Sequence, residues 1–398
     1  MFLDLVARRN PRLIEAAIEL HQAGRIPAGS YVLDVDAMAA NARTFMAEAN
    51  RLGLMVFAMT KQFGRNPALM DALAAAGMDR FVAVDMACAR RIHGTGHRVS
   101  HIGHLVQVPR AEAGAATALT PEFWTVFSDE KAAEAGDATV AQSGGRRRQA
   151  MLARIHAPGD IFYPGHEGGF EASDVVAVAE RIDRLPGARF AGVATFPALL
   201  FDREAAAVRP TPNLDTLTRA ADALRAAGVE HVEVNAPGTT STHILQVLAD
   251  AGATQVEPGH GLTGTTPLHA VRDLVEEPAA IYVTELSHEY AGRWYCFGNG
   301  FYIDPVFPDY PVHAIVGREP RLSATSRVRA ELPPPSMIDY YGQLHAPGAR
   351  PGDTVVFGFR IQAFVTRAFV VPVRGVATTA PEVVGVYTSD GARAEWPL

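Results

Sequence analysis

The stretch MVFAMTKQ at residues 55–62, followed by NPALMDALAAAGM at 66–78 and RFVAVD at 80–85, decides the architecture of this chain. A short apolar run, a helical pattern that opens with Asn and Pro, and a second short apolar run predict a strand, a helix and a strand. Two strands that are joined through a helix run parallel in the same sheet. The sequence therefore predicts one βαβ unit of a parallel sheet here.

The same alternation extends in both directions from this unit. It starts at YVLDVD (31–36) and continues to QVEPG (255–259). The count is roughly eight strand–helix units, the number that a (βα)8 barrel needs. A doubly wound sheet is the competing architecture, but no GxGxxG fingerprint follows the first strand. We expect an α/β fold with an N-terminal TIM-type barrel over residues 30–275.

The segments on either side of this alternation have a different texture. From about residue 276 onward, β-rich runs such as AIYVTELSH (280–288) and DTVVFGF (353–359) are separated by Pro and Gly. This pattern predicts a C-terminal all-β domain over residues 276–398. Residues 1–29 show helical spacing and are predicted to form a helical extension that packs on the β domain.

Composition and charge exclude several classes of protein. Of the 398 residues 48% are hydrophobic and 20% are charged, which is typical of a globular chain. The net charge of −7 disfavours a nucleic-acid partner, and two cysteines are too few for a disulfide framework. Asp4 and Arg8 interrupt any N-terminal signal, and no apolar run approaches the ~20 residues of a membrane span. We expect a cytoplasmic protein with no membrane partner.

Lys61 is the first residue that points to chemistry. It follows an apolar strand, and the active sites of barrels gather at the C-terminal ends of their strands. A lysine in a partly desolvated mouth is a nucleophile toward carbonyl groups. The chain has only one other lysine, Lys131, so a lysine at this position is unusual. The alternative is an ordinary surface lysine on a loop.

Two glycine-bearing loops follow later strands. One is PGTTS at 237–241, and the other is PGHG at 258–261. Small residues that open a helix expose backbone N–H groups to an anion, although they also serve as ordinary helix caps. Together with Lys61 these loops favour a carbonyl cofactor that carries a phosphate, and pyridoxal phosphate is the obvious candidate. No HExxH or other tight metal spacing occurs among the 14 histidines, so we predict no metal site.

Three longer motifs carry a resemblance to a known family. FAMTKQFGRNP (57–67), GDIFYPGHEGGF (159–170) and IDYY (338–341) resemble the alanine-racemase-like, type III family of pyridoxal-phosphate enzymes, in its YhfX-like branch. The resemblance implies an amino-acid racemase, an isomerase, that forms a Cα carbanion on an amino acid or a small amine-bearing analogue. It also implies a homodimer and a covalent attachment of the cofactor to Lys61. The residues that it places at the phosphate are Thr239, Thr240, Gly259 and His260.

Glu257 departs from the racemase pattern. Racemases of the family carry an arginine at this place, facing the pyridine nitrogen, whereas the decarboxylases of the same fold have EPG, as here. A carboxylate keeps that nitrogen protonated, which makes the ring a stronger electron sink. A decarboxylase or lyase is therefore the alternative to a racemase, and a non-catalytic protein that binds the cofactor is a third possibility.

A second departure lies in WYCFGNGFY (294–302). The segment resembles the one that holds the catalytic tyrosine of racemases, but the tyrosine would fall on Phe297. Cys296 is our first candidate for the acid/base opposite Lys61, because a thiol beside a protonated cofactor can titrate within ~2 units of neutrality. Tyr295 or Tyr302 is the alternative, since neighbours along a strand face opposite sides.

SMIDYY (336–341) resembles the racemase segment that reaches across the dimer interface. Asp339, Tyr340 and Tyr341 are therefore candidates for contacts with the substrate, and turn formation after three prolines is the alternative. His166 is a further candidate for the substrate site, with an exposed loop histidine as the alternative.

Overall fold

The computed structural model describes residues 1–378 and 380–396. The chain divides into two compact units. The first comprises Met1–Arg43, Lys61–Ala76 and His260–Leu398, and the second comprises Thr44–Thr60 and Gly77–Gly259. The chain passes between them several times, so neither unit is one continuous stretch. The domain boundaries at residues 30 and 276 stay predictions of the sequence.

The second unit contains a parallel, nearly closed barrel, which confirms the predicted TIM-type fold. Met55–Val56 and Ala58–Met59 are two segments of one strand, and they pair with the last and the second barrel strand respectively. The strands in order around the barrel are Met55–Val56 with Ala58–Met59, Phe81–Val82, Val99–Ile102, Phe123–Val126, Gln149–His156, Ala188–Ala194, Glu233–Asn235 and Gln255–Val256. The short strand Phe170–Glu171 pairs with Gln149–His156, and Leu199–Asp202 forms a hairpin with Ala207–Pro210.

Helices alternate with these strands, and their sequences explain their bounds. Asp85 caps Met86–Gly94, and Ser128 caps Asp129–Ser143, through a side-chain oxygen that accepts a backbone N–H. The other α-helices between residues 35 and 271 are Val35–Arg51, Pro67–Ala75, Ala113–Ala118, Val175–Arg184, Pro212–Ala226, Leu245–Asp250 and Pro267–Val271. In the part of the chain that is described, no helix is both long and apolar enough to cross a membrane.

The first unit is built on a largely antiparallel sheet, as predicted for the C-terminal region. Its strands are Ser30–Asp34, Ala280–Tyr290, Arg293–Phe297, His313–Gly317, Ser326–Glu331, Tyr341–Leu344, Thr354–Phe357, Phe369–Arg374, Glu382–Val383, Val386–Tyr387 and Arg393–Ala394. Two helices, Phe2–Arg9 and Pro11–Gln22, place apolar side chains in one core with this sheet. Leu13 and Ile14 lie in that core with Val32 and Ile281.

One strand is not where the sequence placed it. We expected YVLDVD to begin the barrel, but Ser30–Asp34 lies in the sheet of the first unit, antiparallel to Ala280–Tyr290 and parallel to Phe369–Arg374. All five of its residues are buried. A buried apolar strand followed by a helix has the same local pattern in either sheet, so the prediction was wrong for this strand. The barrel instead begins at residue 55.

Candidate active site

Glu257 is the centre of a polar network inside the barrel unit. It comes directly after the strand Gln255–Val256, and its side chain is fully buried. Its Oε1 accepts hydrogen bonds from His101 Nδ1 at 2.8 Å and from Asn235 Nδ2 at 3.0 Å. His104 Nε2 lies 3.1 Å from Oε2. The carboxylate that follows the last barrel strand thus accepts hydrogen bonds from two other parts of the barrel.

The barrel strands explain why these side chains meet. His101 lies on Val99–Ile102 and Asn235 on Glu233–Asn235, and inward-pointing residues of a barrel converge on its axis. His101 Nε2 is also 2.7 Å from the hydroxyl oxygen of Thr125, on a third strand. Donation from Nδ1 to the carboxylate leaves Nε2 as the acceptor of that hydroxyl. The orientation of His101 is therefore fixed from both sides.

This network decides the charge of Glu257. Burial by itself raises the pKa of the carboxyl group, but the attraction of His104 and the hydrogen bonds from His101 and Asn235 outweigh it, so that the pKa is lowered. Glu257 is therefore a buried carboxylate. Among residues 1–378 and 380–396, its Oε2 accepts no hydrogen bond of normal geometry, and the contact with His104 Nε2 at 3.1 Å is an electrostatic one. A buried acceptor of this kind is costly unless a donor from outside the protein reaches it.

The same three side chains have a composition that is compatible with a metal ion. The ligand atoms of His101, His104 and Glu257 lie within 4.8 Å of one another, and all three residues are buried. However, Oε1 already accepts two hydrogen bonds, and both nitrogens of His101 are engaged. We interpret the cluster as a network that holds the charge of Glu257, and the absence of a metal site remains a prediction.

Lys61 follows Thr60 directly, two residues beyond the barrel strand Ala58–Met59, and it begins a 3₁₀ turn. Within the first unit its Nζ lies 5.4 Å from the centroid of the Phe364 ring. His260, from the PGHG loop, places Nε2 2.9 Å from the carbonyl oxygen of Ile361. Burial, together with the nearby charges of Arg360 and Lys61, holds the pKa of His260 well below its usual value. His260 is therefore neutral.

The PGTTS loop is shaped by a close approach of two backbones. A side chain at Gly238 would place its Cβ 2.6 Å from the backbone nitrogen of Leu199, so only glycine fits. The N–H of Thr239 donates to the carbonyl of Leu199, and the hydroxyl of Thr240 donates to that of Gly238. In the described part of the chain the buried hydroxyl of Ser241 has no partner. Ser241 is the group in this loop with hydrogen-bonding capacity to spare.

Burial of Cys296 opposes the titration that we expected for its thiol. The thiol is buried on the strand Arg293–Phe297, opposite Gly342 and Leu286, and burial raises its pKa to about 12. Its strand neighbours Tyr295 and Phe297 are only partly buried. Because neighbours along a strand face opposite sides, Cys296 points away from the face on which Tyr295 lies. A thiol in this state does not exchange protons near neutral pH.

The opposite face of the strand Arg293–Phe297, on which Tyr295 and Phe297 lie, is aromatic. The ring of Tyr341 lies 5.7 Å from that of Phe297 and 6.2 Å from that of Tyr295. Tyr295 also stacks on His288 at 4.7 Å between ring centroids. Tyr295 and Tyr341 are therefore two groups on this face whose hydroxyls carry a transferable proton.

Asp339 lines a cavity of about 280 Å³ in the first unit. The carboxylate of Asp339 accepts a 2.6 Å hydrogen bond from Arg367, whose guanidinium also lies 5.7 Å from the ring of Tyr340. Tyr302 lines the same cavity. The structure thus groups these predicted substrate contacts, and their role stays a prediction.

His166 belongs to an aromatic cluster in the barrel unit. Its ring lies 5.8 Å from that of Phe196, and Phe196 is 5.8 Å from His104, which adjoins Glu257. Its carbonyl accepts a hydrogen bond from Arg154, whose Nη2 also donates to the carbonyl of Phe196. Burial lowers the pKa of Arg154 to about 10. We had not predicted Arg154, although an arginine within the apolar strand QAMLARIH is a visible signal.

His101 and His104 were also missed. Both lie in HIGHLVQV, which we had interpreted only as an apolar strand. Two histidines in such a strand are a signal in themselves, because a buried histidine needs partners for its ring nitrogens.

The fold and the site define a class of protein. The family model "Alanine racemase, N-terminal domain" matches residues 33–267, and "YhfX-like, C-terminal domain" matches residues 281–383. The chain belongs to the alanine racemase family. A particular relative is the uncharacterized protein YhfX of Escherichia coli (strain K12), which is 39% identical over 392 residues, 98% of this chain and 99% of that protein.

Solved structures share the fold at lower identity. D-threonine aldolase from Filomicrobium marinum has a TM-score of 0.66 at 18% identity and covers 92% of this chain and 96% of its own. D-threo-3-hydroxyaspartate dehydratase from Delftia sp. HT23 has a TM-score of 0.64 at 16% identity, with 91% and 97% covered. Alanine racemase from Corynebacterium glutamicum has a TM-score of 0.59 at 18% identity, with 84% and 91% covered. These likenesses establish the fold.

Proposed function

We propose that this protein is a pyridoxal-phosphate-dependent enzyme that removes and returns the Cα proton of an amino acid, in the manner of a racemase. The observation that carries the proposal is Glu257, a buried carboxylate whose Oε2 accepts no hydrogen bond from the described residues, although His104 Nε2 lies 3.1 Å away. A protonated pyridine nitrogen is a cationic donor of the kind that this oxygen requires. When bound, the cofactor would supply an electron sink for the carbanion at Cα.

Other residues of the chain fit the same cofactor. Lys61 follows the first barrel strand and Glu257 follows the last, and the segments Met55–Val56 and Gln255–Val256 are paired neighbours. We propose that Lys61 binds the cofactor covalently and moves a proton at Cα. Ser241, whose hydroxyl has no partner among the described residues, would add a donor to the phosphate with Thr240.

The second proton-transferring group needs a hydroxyl on an accessible face. Tyr295 and Tyr341 satisfy this requirement better than Cys296, because the pKa of the buried thiol is about 12. We propose that one of these two tyrosines exchanges the proton on the side opposite Lys61. In the homodimer proposed below, the partner subunit would supply this group.

The chain offers an unusually clean test of the role of Lys61. Lys61 and Lys131 are its only lysines, so Lys131→Ala is a matched control. Borohydride reduction of the protein with pyridoxal phosphate should fix the cofactor to Lys61 alone, as read by peptide mass spectrometry. Lys61→Ala should lose both this label and all exchange of the Cα proton, while Lys131→Ala keeps both. A label on Lys131, or exchange by Lys61→Ala, would contradict the proposal.

A lyase is the second candidate, and Glu257 favours it. The resemblance places an arginine at this position in racemases and an EPG motif in decarboxylases. Proteins of this fold also include a D-threonine aldolase and a D-threo-3-hydroxyaspartate dehydratase. Incubation with a panel of D- and L-amino acids separates the candidates. Inversion at Cα without loss of substrate supports the racemase, and release of amine, aldehyde or keto acid supports the lyase. A protein that binds the cofactor but does neither is the non-catalytic alternative.

We propose that the protein works as a homodimer through the segment SMIDYY. Met337, Ile338 and Tyr340 are 66%, 62% and 60% exposed, so three large apolar side chains within four residues of the sequence lie on the surface. Light scattering should give twice the mass of 42.6 kDa at micromolar concentration. Ile338→Asp should shift the protein toward the monomer, whereas Val275→Asp, at an exposed apolar residue distant in sequence, should not. A wild-type monomer would contradict the dimer.

A further inference from the structure

We propose that Arg65 binds an oxyanion, either the phosphate of the cofactor or the carboxylate of the amino-acid substrate. The two sources present the same chemistry, a pair of anionic oxygens that a guanidinium recognises with two parallel hydrogen bonds. The identity of the anion rests on the proposed function. The existence of an oxyanion site at Arg65 does not.

The first argument is the state of the Arg65 side chain. The residue is only 8% exposed, and its Nε is buried. Among residues 1–378 and 380–396, Nε has no hydrogen-bond partner and no carboxylate pairs with this guanidinium, which lies near the ring of Phe364. A buried guanidinium cannot lose its charge, so its N–H groups require acceptors. The described residues do not supply an acceptor to Nε, which points to a partner from outside them.

Other arginines of the first unit show what the chain does when it pairs a guanidinium itself. Arg360 donates to the buried carboxylate of Asp304 at 3.0 Å. Arg318 donates to the carboxylate of Asp353 and to the carbonyl of Pro351. In the described ranges Arg65 has no such acid, although it is more deeply buried than Arg318. Arg154 of the barrel unit donates to the carbonyls of His166 and Phe196 instead. No such acceptor reaches Nε of Arg65 in the same ranges.

The surroundings of Arg65 favour an anion at the place where Lys61 acts. The guanidinium of Arg65 and Nζ of Lys61 lie 5.7 Å and 5.4 Å from the centroid of the same ring, Phe364. The next residue, Asn66, is fully buried, and its Nδ2 also has no partner in the described ranges. Its Oδ1 caps the helix Pro67–Ala75, whose N-terminus carries a partial positive charge. Two unpaired buried donors and a helix terminus thus adjoin the proposed cofactor lysine.

The backbone holds Arg65 firmly in this place. Gly64 and Arg65 are consecutive left-handed residues, with φ of +68° and +52°. A Cβ at Gly391 would lie 2.6 Å from the carbonyl oxygen of Arg65, so a second loop presses directly on this turn. Arginine has no preference for the left-handed region, whereas glycine or asparagine does. The side chain, and not the backbone conformation, explains an arginine here.

The test compares Arg65→Met with a matched arginine, Arg318→Met. Without ligand, Arg65→Met should melt at or above the temperature of the wild type, because it removes a buried charge that has no partner. Arg318→Met should melt lower, because it leaves Asp353 unpaired. A merely structural Arg65 would move in the same direction as Arg318.

Ligand binding distinguishes the two sources of the anion. If Arg65 binds the phosphate, Arg65→Met should weaken pyridoxal phosphate about ten- to a hundredfold, the usual range for a hydrogen bond to a charged group. The affinity for pyridoxal, which has no phosphate, should then be unchanged. If Arg65 binds the substrate carboxylate, cofactor affinity should be unchanged. The cofactor-loaded variant should instead bind amino acids more weakly by that factor, and bind the corresponding decarboxylated amines normally. Arg65→Lys keeps the charge and should lose less affinity in either case.

The proposal is overturned if Arg65→Met melts lower, as Arg318→Met does, and leaves all of these affinities within twofold of the wild type. A wild type that binds no pyridoxal phosphate would contradict the proposed function alone. In that case inorganic phosphate is the probe: it should raise the melting temperature of the wild type and not that of Arg65→Met, and an equal rise in both would overturn the oxyanion site.

Discussion

Glu257 of the barrel unit and two groups of the sheet unit, His21 and Cys296, are buried in opposite states of charge. Inside the barrel, Glu257 is buried and yet has a lowered pKa, because His104, His101 and Asn235 surround it. In the sheet unit, burial is the sole cause that lowers the pKa of His21 to about 4, and it is the dominant cause that raises that of Cys296 to about 12. Both of those groups are neutral near pH 7.

The contrast shows that partners, and not depth, decide whether a buried group keeps its charge. His21 has a hydroxyl partner, Thr354, at 2.8 Å, and lies 3.5 Å from Glu285, but neither contact offsets the loss of water around the ring. Glu257 has two hydrogen-bond donors and a further histidine within 3.1 Å. The barrel therefore places several side chains around the one charge of Glu257, which is typical of a functional site, whereas His21 and Cys296 are neutral groups that contribute to packing.

The largest effect should come from removing the charge in the barrel. Glu257→Gln keeps the shape of the side chain but not the anion, and we expect the exchange of the Cα proton to fall about 10²–10³-fold, as for other preorganised electrostatic groups. NMR in deuterated water measures this rate. Glu285→Gln, a carboxyl group of the sheet unit, is the control and should stay within about twofold of wild type. An equal loss of exchange rate in both variants would contradict the distinction between the two carboxyl groups.

The next effect concerns the histidine that holds this carboxylate. His101→Ala removes a hydrogen bond to a charged group, so we expect a loss of about ten- to a hundredfold in exchange rate. The pKa of Glu257 should rise, which moves the acid limb of the pH profile to higher pH. His101→Asn, which retains a donor, should restore part of the rate and of the profile. An unshifted acid limb in His101→Ala would mean that His101 does not hold the charge.

In the sheet unit, the neutral His21 should affect the pH dependence of the free energy of unfolding and not the activity. The pKa of His21 is lowered from 6.5 to about 4, so the unfolded state binds the proton first. Stability is therefore fully present above pH 6.5 and is lost as the pH falls toward 4, by about 3 kcal/mol in all. Urea denaturation at pH 7.5, 5.5 and 4 measures the loss. His21→Gln should flatten this dependence, and the exposed His231→Gln should leave it as in the wild type.

The smallest effect should come from Cys296. Cys296→Ala removes a buried sulfur atom and should lower the free energy of unfolding by about 1 kcal/mol, with proton exchange within about twofold of wild type. Because the thiol is buried and its pKa is about 12, it should also resist alkylation in the folded protein. If the variant stays folded and loses exchange, the assignment of Cys296 to packing is wrong.

The sequence by itself determined the alternation of strands and helices, the β-rich C-terminal region and the strand-end positions of Lys61 and Glu257. These features are local, because periodicity and turn residues act over one or two turns of the chain. The family resemblance came from motifs that are equally local. The choice of the neighbouring strands in a sheet is not local. The apolar pattern of Ser30–Asp34 suits either sheet, and only its pairing with Ala280–Tyr290 and Phe369–Arg374 shows to which sheet it belongs.

Only the tertiary structure decided the state of the site. His101 and Glu257 are 156 residues apart in the chain and 2.8 Å apart in the fold, so no spacing in the sequence could pair them. Alternation placed Cys296 and Tyr295 on opposite faces of a strand, but only the packed sheet determined which face is buried. The same holds for Arg65, because its lack of a carboxylate partner among the described residues depends on all the elements that pack around it. The physical reason is that charge and protonation depend on the sum of the neighbours in space, and the fold alone brings those neighbours together.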